Sequence, residues 1–176
     1  NSLNVISNDA STVGSYDLGI VDHNPGENKT MKIINNNEFD VFSDQRVLYV
    51  RQKLNTELMK EACEYLIGKH DFSSFRASSC QSNNPIREMK NIELEVGKFI
   101  SITFNANAFL HHMIRNIVGT LLDIGTGKIP PKDINQILHA KDRNVASKTA
   151  SASGLYLVKV NYPEKYGFPF RTNEMI

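Results

Sequence analysis

The 176-residue sequence predicts an α+β domain in which a mostly antiparallel sheet is covered by helices. Three observations carry this. Two alternating stretches, 88–96 and 99–106, flank Gly97-Lys98 and read as a β-hairpin. Directly after it, Phe109, Leu110, Met113, Ile114, Ile117, Val118, Leu121 and Leu122 recur as pairs every four positions, the spacing of an amphipathic helix over 109–124. Near the end, residues 154–162 are rich in β-branched and aromatic side chains and read as a strand stopped by Pro163.

The remaining elements follow the same logic. Residues 1–37 are polar and asparagine-rich, with short apolar pieces at 16–21 and 31–34, and suit strands or loops better than helices. Residues 46–51 read as a short strand. Asn55 is placed to cap a helix over 55–67, in which Leu58, Met59, Ala62, Cys63, Leu66 and Ile67 keep helical spacing and Gly68 supplies a stop. Residues 69–77 then read as a loop with two aromatics, an arginine and several hydroxyls, a composition common at binding sites. Pro131 suits the first turn of a short helix over 131–139, with Ile134, Ile137 and Leu138 turned inward. Residues 144–153 are small and polar, a loop with room for a helical turn. The expected organisation is a polar segment of uncertain fold at 1–44, a domain at 45–170 and a tail at 171–176.

Composition narrows the function. Hydrophobic content of 40% with 22% charged residues is that of a globular protein, and a net charge of +1 gives no global attraction to nucleic acid. Any RNA contact must therefore be a local patch. No apolar run approaches the ~20 residues a membrane span needs, and the sequence reads as that of a cytoplasmic protein. The two cysteines, Cys63 and Cys80, lack CxxC spacing and are expected as thiols.

Between the apolar pairs of the 109–124 helix lies a polar strip of His111, His112, Arg115, Asn116, Gly119, Thr120 and Asp123. Helical spacing sets His111 one turn before Arg115 and Gly119 one turn after it. Gly119 leaves room for a close neighbour. Arg115 is costly to bury unless a carboxylate or phosphate meets it, and the competing reading is a solvent-facing charge. His111-His112 has no third ligand or HExxH pattern, and adjacent helical residues diverge by about 100°, so no metal is expected. Gly125-Thr126-Gly127-Lys128 follows a helix instead of opening one and reads as a helix stop. No nucleophile elbow or activated thiol is visible. Arg76, Arg87, Lys128, Lys141, Arg143 and Lys148 flank the loops and would suit either a phosphate track or scattered surface charge.

Four segments stand together in order: His70-Asp71-Phe72-Ser73-Ser74-Phe75-Arg76-Ala77, Asn107-Ala108-Phe109-Leu110-His111-His112-Met113-Ile114-Arg115-Asn116-Ile117-Val118-Gly119, Ala140-Lys141-Asp142-Arg143 and Gly154-Leu155-Tyr156-Leu157-Val158. In order and spacing they resemble the C-terminal half of the tRNA pseudouridine synthase A family over about residues 46–170. The resemblance implies a pseudouridine synthase-like fold and an isomerase that works on tRNA as a homodimer, without metal or organic cofactor. In that family uridines of the anticodon stem-loop, around tRNA positions 38 to 40, become pseudouridine: the nucleotide is flipped out, an aspartate attacks, the glycosidic bond breaks and the base is rejoined through C5. By position, Arg115 resembles the arginine that pairs with this aspartate, and Leu155 the apolar residue packed against the target base. Arg76, His112, Arg143 and Tyr156, each in one of the four segments, are the candidate substrate contacts. The sequence departs from the family in two places. It contains no Arg-Thr-Asp-Ala-Gly-Val-His type segment to supply the aspartate, and Lys32 stands where the resemblance expects a stacking tyrosine. The expectation is weak tRNA binding and no turnover unless an N-terminal half supplies the carboxylate. The alternatives are a non-catalytic RNA-binding or dimerisation remnant, and a structural domain in which Arg115 pairs internally.

Overall fold

The computed structural model describes residues 26–35 and 46–160, which form a six-stranded sheet with helices packed on one face. In chain order the elements are β1 (Glu27–Ile34), β2 (Leu48–Tyr49), α1 (Thr56–Glu64), β3 (Gly68–Asp71), β4 (Ile86–Val96), β5 (Ile100–Ala106), α2 (Met113–Gly125), α3 (Asp133–Ala140) and β6 (Leu155–Val160), with short 3₁₀ turns at Ser73–Phe75 and Arg143–Val145. The strand order is β2-β1-β5-β4-β3, and β6 also pairs with β1. All pairings are antiparallel except β1 with β2. Readings for residues 1–25 and for the tail at 171–176 lie outside the described residues.

The polar N-terminal stretch contributes an interior strand of this sheet. β5 runs along one edge of β1 from Glu27↔Ala106 to Ile33↔Ile100. β6 takes Glu27 to Met31 on the other edge, and β2 takes Ile33 and Ile34. A strand has only two edges, so β6 and β2 lie end to end along the second. The strand expected at 46–51 is correspondingly reduced to Leu48–Tyr49, because β6 already occupies the rest of that edge.

The hairpin forms as its alternation dictates. In β5, Ile100, Ile102, Phe104 and Ala106 are buried while Ser101, Thr103 and Asn105 are half-buried on the other face, where Thr103 and Thr30 hydroxyls meet at 2.9 Å. In β4 the apolar members are Met89, Ile92, Leu94 and Val96, and the gap from 89 to 92 breaks a strict period of two. A bulge between Met89 and Asn91 absorbs the extra residue and keeps Met89, Ile92 and Leu94 packed on the core, while Val96 at the hairpin end is exposed.

Two helix boundaries and one loop differ from the sequence expectation. Asn55 caps α1 as anticipated, its side-chain oxygen accepting from the backbone N–H groups of Glu57 (3.1 Å) and Leu58 (3.2 Å). α1 nevertheless ends at Glu64, and Leu66 N–H closes on the Cys63 carbonyl, because from Gly68 the chain pairs with Met89 of β4. The loop expected at 69–77 thus begins as a strand.

α2 begins at Met113 and not at Phe109. Phe109 and Leu110 are buried as the periodicity requires, but the residues on either side of them are bonded elsewhere. Asn107 N–H donates to the Glu88 carbonyl, and its side-chain oxygen accepts from Glu88 and Ala108. The His111 carbonyl accepts from Ala77 N–H. His112 then turns the chain into the helix with φ of 60°, the left-handed region that a non-glycine residue seldom adopts.

One core unites the layers, with Met31, Ile33, Met59, Leu66, Phe72, Phe75, Phe104, Met113, Ile117 and Leu121 all fully buried. α3 seats Ile134, Ile137 and Leu138 as expected. Burial also pushes the Cys63 thiol up to about 12, so it is an inert core residue. Among the described residues no helix is long and apolar enough to cross a membrane.

Candidate functional site

The polar strip of α2 is a berth for the segment that follows α3. At 100° per residue, Arg115, Asn116, Gly119, Thr120 and Asp123 fall within an arc of about 140°. Four of them meet successive residues of the 147–150 segment. Arg115 Nε–H donates to the Ala150 carbonyl at 2.8 Å, and Ala150 N–H donates back to the Arg115 carbonyl at 3.0 Å. Asn116 accepts from the Thr149 hydroxyl at 2.6 Å. A Cβ on Gly119 would fall on the Lys148 carbonyl oxygen. The Thr120 hydroxyl accepts from Ser147 N–H at 3.3 Å. The close neighbour that Gly119 admits is therefore this backbone. Gly119→Ala is expected to cost about 1–3 kcal/mol, as overpacking does, or to lift the segment from the helix. A urea midpoint unchanged from the parent, with Ser147 and Ala150 amides still protected, would refute that.

Arg143 joins the same cluster. Its guanidinium donates to Asn116 Oδ1 (3.1 Å), the Thr149 hydroxyl (3.0 Å) and the Ala146 carbonyl (3.1 Å). His112 is near both arginines. Burial first, and then the neighbouring charges of His111, Arg115 and Arg143, hold its imidazole below the ordinary histidine value. The two histidines do not diverge as helical neighbours would. Both precede α2, and their rings lie 3.9 Å apart at 32°.

Of the six candidate residues, then, His112, Arg115 and Arg143 come together at the start of α2. Arg76 sits on the adjoining loop, beside the Ala77 to His111 backbone bond, with its Nη1 3.4 Å from the Ser82 carbonyl. Leu155 and Tyr156 open β6, but consecutive strand residues point to opposite faces. Leu155 is opposite Met31 and packs on the core side. Tyr156 is opposite Thr30, donates its hydroxyl to the Arg46 carbonyl at 2.6 Å, and has Lys32 Nζ 5.6 Å from its ring centroid.

The basic track suggested by composition breaks up. Arg87 is buried, and its guanidinium donates to the carbonyls of Asn84 and Ile86 (both 2.8 Å) and to the Ser82 hydroxyl (3.0 Å), so it staples the 82–86 turn. Lys128 pairs with Asp123 and Lys141 with Asp71. Burial opposes ionisation of both aspartates. At Asp71, hydrogen bonds from Ser73 and Lys141, and at Asp123 those from Lys128 and Ser147 with the charges of Lys128 and Lys148, outweigh it and lower the carboxyl groups. Arg143 and Lys148 remain beside the berth. Among the described residues no group of three or more His, Cys, Asp or Glu side chains could hold a metal.

Asn116 is the residue whose importance the sequence did not announce. It is fully buried, and a buried carboxamide on an apolar helix requires partners. That requirement was the available signal.

The model of the tRNA pseudouridine synthase family matches residues 62–163. The chain belongs to this family. Among curated relatives, tRNA pseudouridine synthase A of Photobacterium profundum is 50% identical over 117 residues, 66% of this chain and 45% of that protein. The Idiomarina loihiensis enzyme is 48% identical over 124 residues, 70% of this chain and 48% of its own length. That of Nitrosococcus oceani is 44% identical over 138 residues, 78% and 53%. The chain spans about half the length of the curated relatives it matches. By family it is an isomerase fold, and the mixed sheet with its three helices fits that membership.

Proposed function

We propose that this chain is the C-terminal-half domain, residues 45–170, of a tRNA pseudouridine synthase that isomerises uridine in the anticodon stem-loop, at tRNA positions 38 to 40. The observation that carries the reading is Arg115: it lies inside the family match, in the first turn of α2, with its Nε anchored to the Ala150 carbonyl. A guanidinium carries its N–H donors in a planar fork that matches a carboxylate in a charge-assisted contact. Arg115 pairs with the catalytic aspartate, which these 176 residues do not supply in the family's sequence context. Leu155 gives the target base an apolar wall. Arg76, His112, Arg143 and Tyr156 contact the RNA, Tyr156 from the far face of the strand that carries Leu155. The enzyme acts as a cytoplasmic homodimer and takes its chemistry from side chains alone.

In this mechanism the aspartate carboxylate bonds to C1′ of the flipped nucleotide as the bond from C1′ to N1 breaks, the base turns, C5 bonds to C1′ as the carboxylate is released, and the C5 proton leaves while N1 takes up a proton. Release of tritium from C5-labelled tRNA follows that last step. The chain alone should release none, while the chain joined to an aspartate-bearing N-terminal half should release it. Turnover by the chain alone would overturn the assignment of the nucleophile outside these residues. Binding of tRNA by the chain should weaken as salt rises, since phosphate contacts release counterions. The second reading, an RNA-binding or dimerisation remnant, would be favoured if the joined protein bound tRNA but released no tritium.

A further inference from the structure

Asn116 neighbours Arg115 in the chain, is fully buried, and is bonded to three separate segments. Its Nδ2 donates to the Phe75 carbonyl at 2.7 Å, in the 3₁₀ turn after β3. Its Oδ1 accepts from Arg143 Nη2 at 3.1 Å and from the Thr149 hydroxyl at 2.6 Å. These partners fix the orientation of the carboxamide, because a carbonyl can only accept and a guanidinium can only donate. Thr149 is next to Ala150, whose carbonyl holds Arg115 Nε. A displacement of Thr149 would therefore carry the anchor of Arg115 with it.

We propose that Asn116 is a positioning residue: by clamping Thr149 and Arg143 against the 3₁₀ turn, it sets the place of the Ala150 carbonyl and so the direction of the Arg115 guanidinium. Its catalytic consequence rests on the function proposed above, while its geometric content does not. The oxygen serves two donors at once, so Asn116→Asp would keep both of these acceptor contacts but would turn an acceptor toward the Phe75 carbonyl. Asn116→Ala removes all three contacts. Thr149→Val, at an exposed position, removes the hydroxyl from Asn116 and from Arg143 while nearly preserving side-chain shape.

The test has two arms. In the ¹⁵N-labelled 176-residue chain, exchange of the Arg115 Nε–H with solvent should accelerate at least about tenfold in both Asn116→Ala and Thr149→Val, with amide protection in β4 and β5 unchanged. Should Asn116→Ala fail to fold, Thr149→Val decides. Unchanged Arg115 exchange in a folded Thr149→Val overturns the proposal. In the chain joined to its aspartate-bearing half, Thr149→Val should lower kcat by about tenfold to a hundredfold with KM moving less than about twofold, as misdirection of a reacting group does. A rise in KM with kcat intact would mean that the cluster holds RNA and does not aim Arg115, and would also overturn it. If the unsubstituted joined protein shows no turnover, the proposed function falls, and the exchange measurement still decides the role of Asn116.

Discussion

Arg115→Ala in the joined, aspartate-bearing protein is expected to lower kcat by about 10²–10³ or more, the scale at which removal of one preorganised charge-stabilising group is felt. Stability should suffer much less. Each side-chain hydrogen bond lost, such as that from Nε to the Ala150 carbonyl, is worth about 0.5–1.5 kcal/mol net, and the reciprocal bond from Ala150 N–H to the Arg115 backbone survives the substitution. The two effects can be separated. Circular dichroism and the urea midpoint report the fold, tritium release reports the chemistry, and the His112 ring signals report the local charge. Because Arg115 helps hold the His112 imidazole below its ordinary value, its removal should move the His112 titration midpoint upward. Arg115→Lys keeps the charge without the fork and should recover little activity. Turnover within about threefold of the parent in a folded Arg115→Ala would leave this arginine a purely structural role, as a clasp for residue 150.

Gly154→Ala is expected to be strongly destabilising, more so than its single added methyl group suggests. Gly154 has φ of +83°, and an added Cβ would meet only backbone: the Lys32 carbonyl oxygen, the Leu48 nitrogen at 2.8 Å and the Val47 Cα at 3.0 Å. Backbone cannot rotate away as a side chain can. The left-handed conformation costs about 1–3 kcal/mol where the site is over-determined, and overpacking costs about 1–3 kcal/mol more. The carbonyl of Gly154 also accepts from Lys32 N–H at 2.8 Å, so relief of the clash would break the contact that sets β6 beside β1. Leu155 and Tyr156 would move with it. The check is the thermal midpoint together with the hydrogen-exchange protection of Lys32. A variant as stable as its parent would show that the three segments are not packed as tightly as described.

Much of this architecture could be read from the residues, for reasons that differ by element. β5 and α3 are legible because their burial follows a local period, and β4 is legible in all but its bulge. The helix over α2 is legible in its face but not in its start: Phe109 and Leu110 are buried whether helical or not, and the bonds that hold them out of the helix come from Glu88 and Ala77, both more than fifteen residues away. Arg87 illustrates the same limit for charge. Nothing beside it in the sequence says that its guanidinium folds back on the 82–86 turn. At the candidate site, Arg115 and Gly119 drew notice as an expensive charge and an unexplained glycine. Asn116 reads in the sequence only as one more member of the polar strip, since its three partners come from residues 75, 143 and 149 and become neighbours only in the folded chain.

The interior place of β1, paired on both edges, has a consequence for how the chain is made. β1 emerges first among the described strands, yet its neighbour β5 ends about 70 residues later and β6 about 125 residues later, which at about 5–20 residues per second amounts to several seconds or more of synthesis. Until β5 is made one edge of this strand, and until β6 is made the Glu27–Met31 length of the other, would be open to pairing with another nascent chain. Lys29 and Lys32 interrupt its apolar residues with charge, the feature that discourages such edge-to-edge association. The hairpin, whose two strands are adjacent in the chain, can form in the meantime and present the edge against which β1 is finally laid.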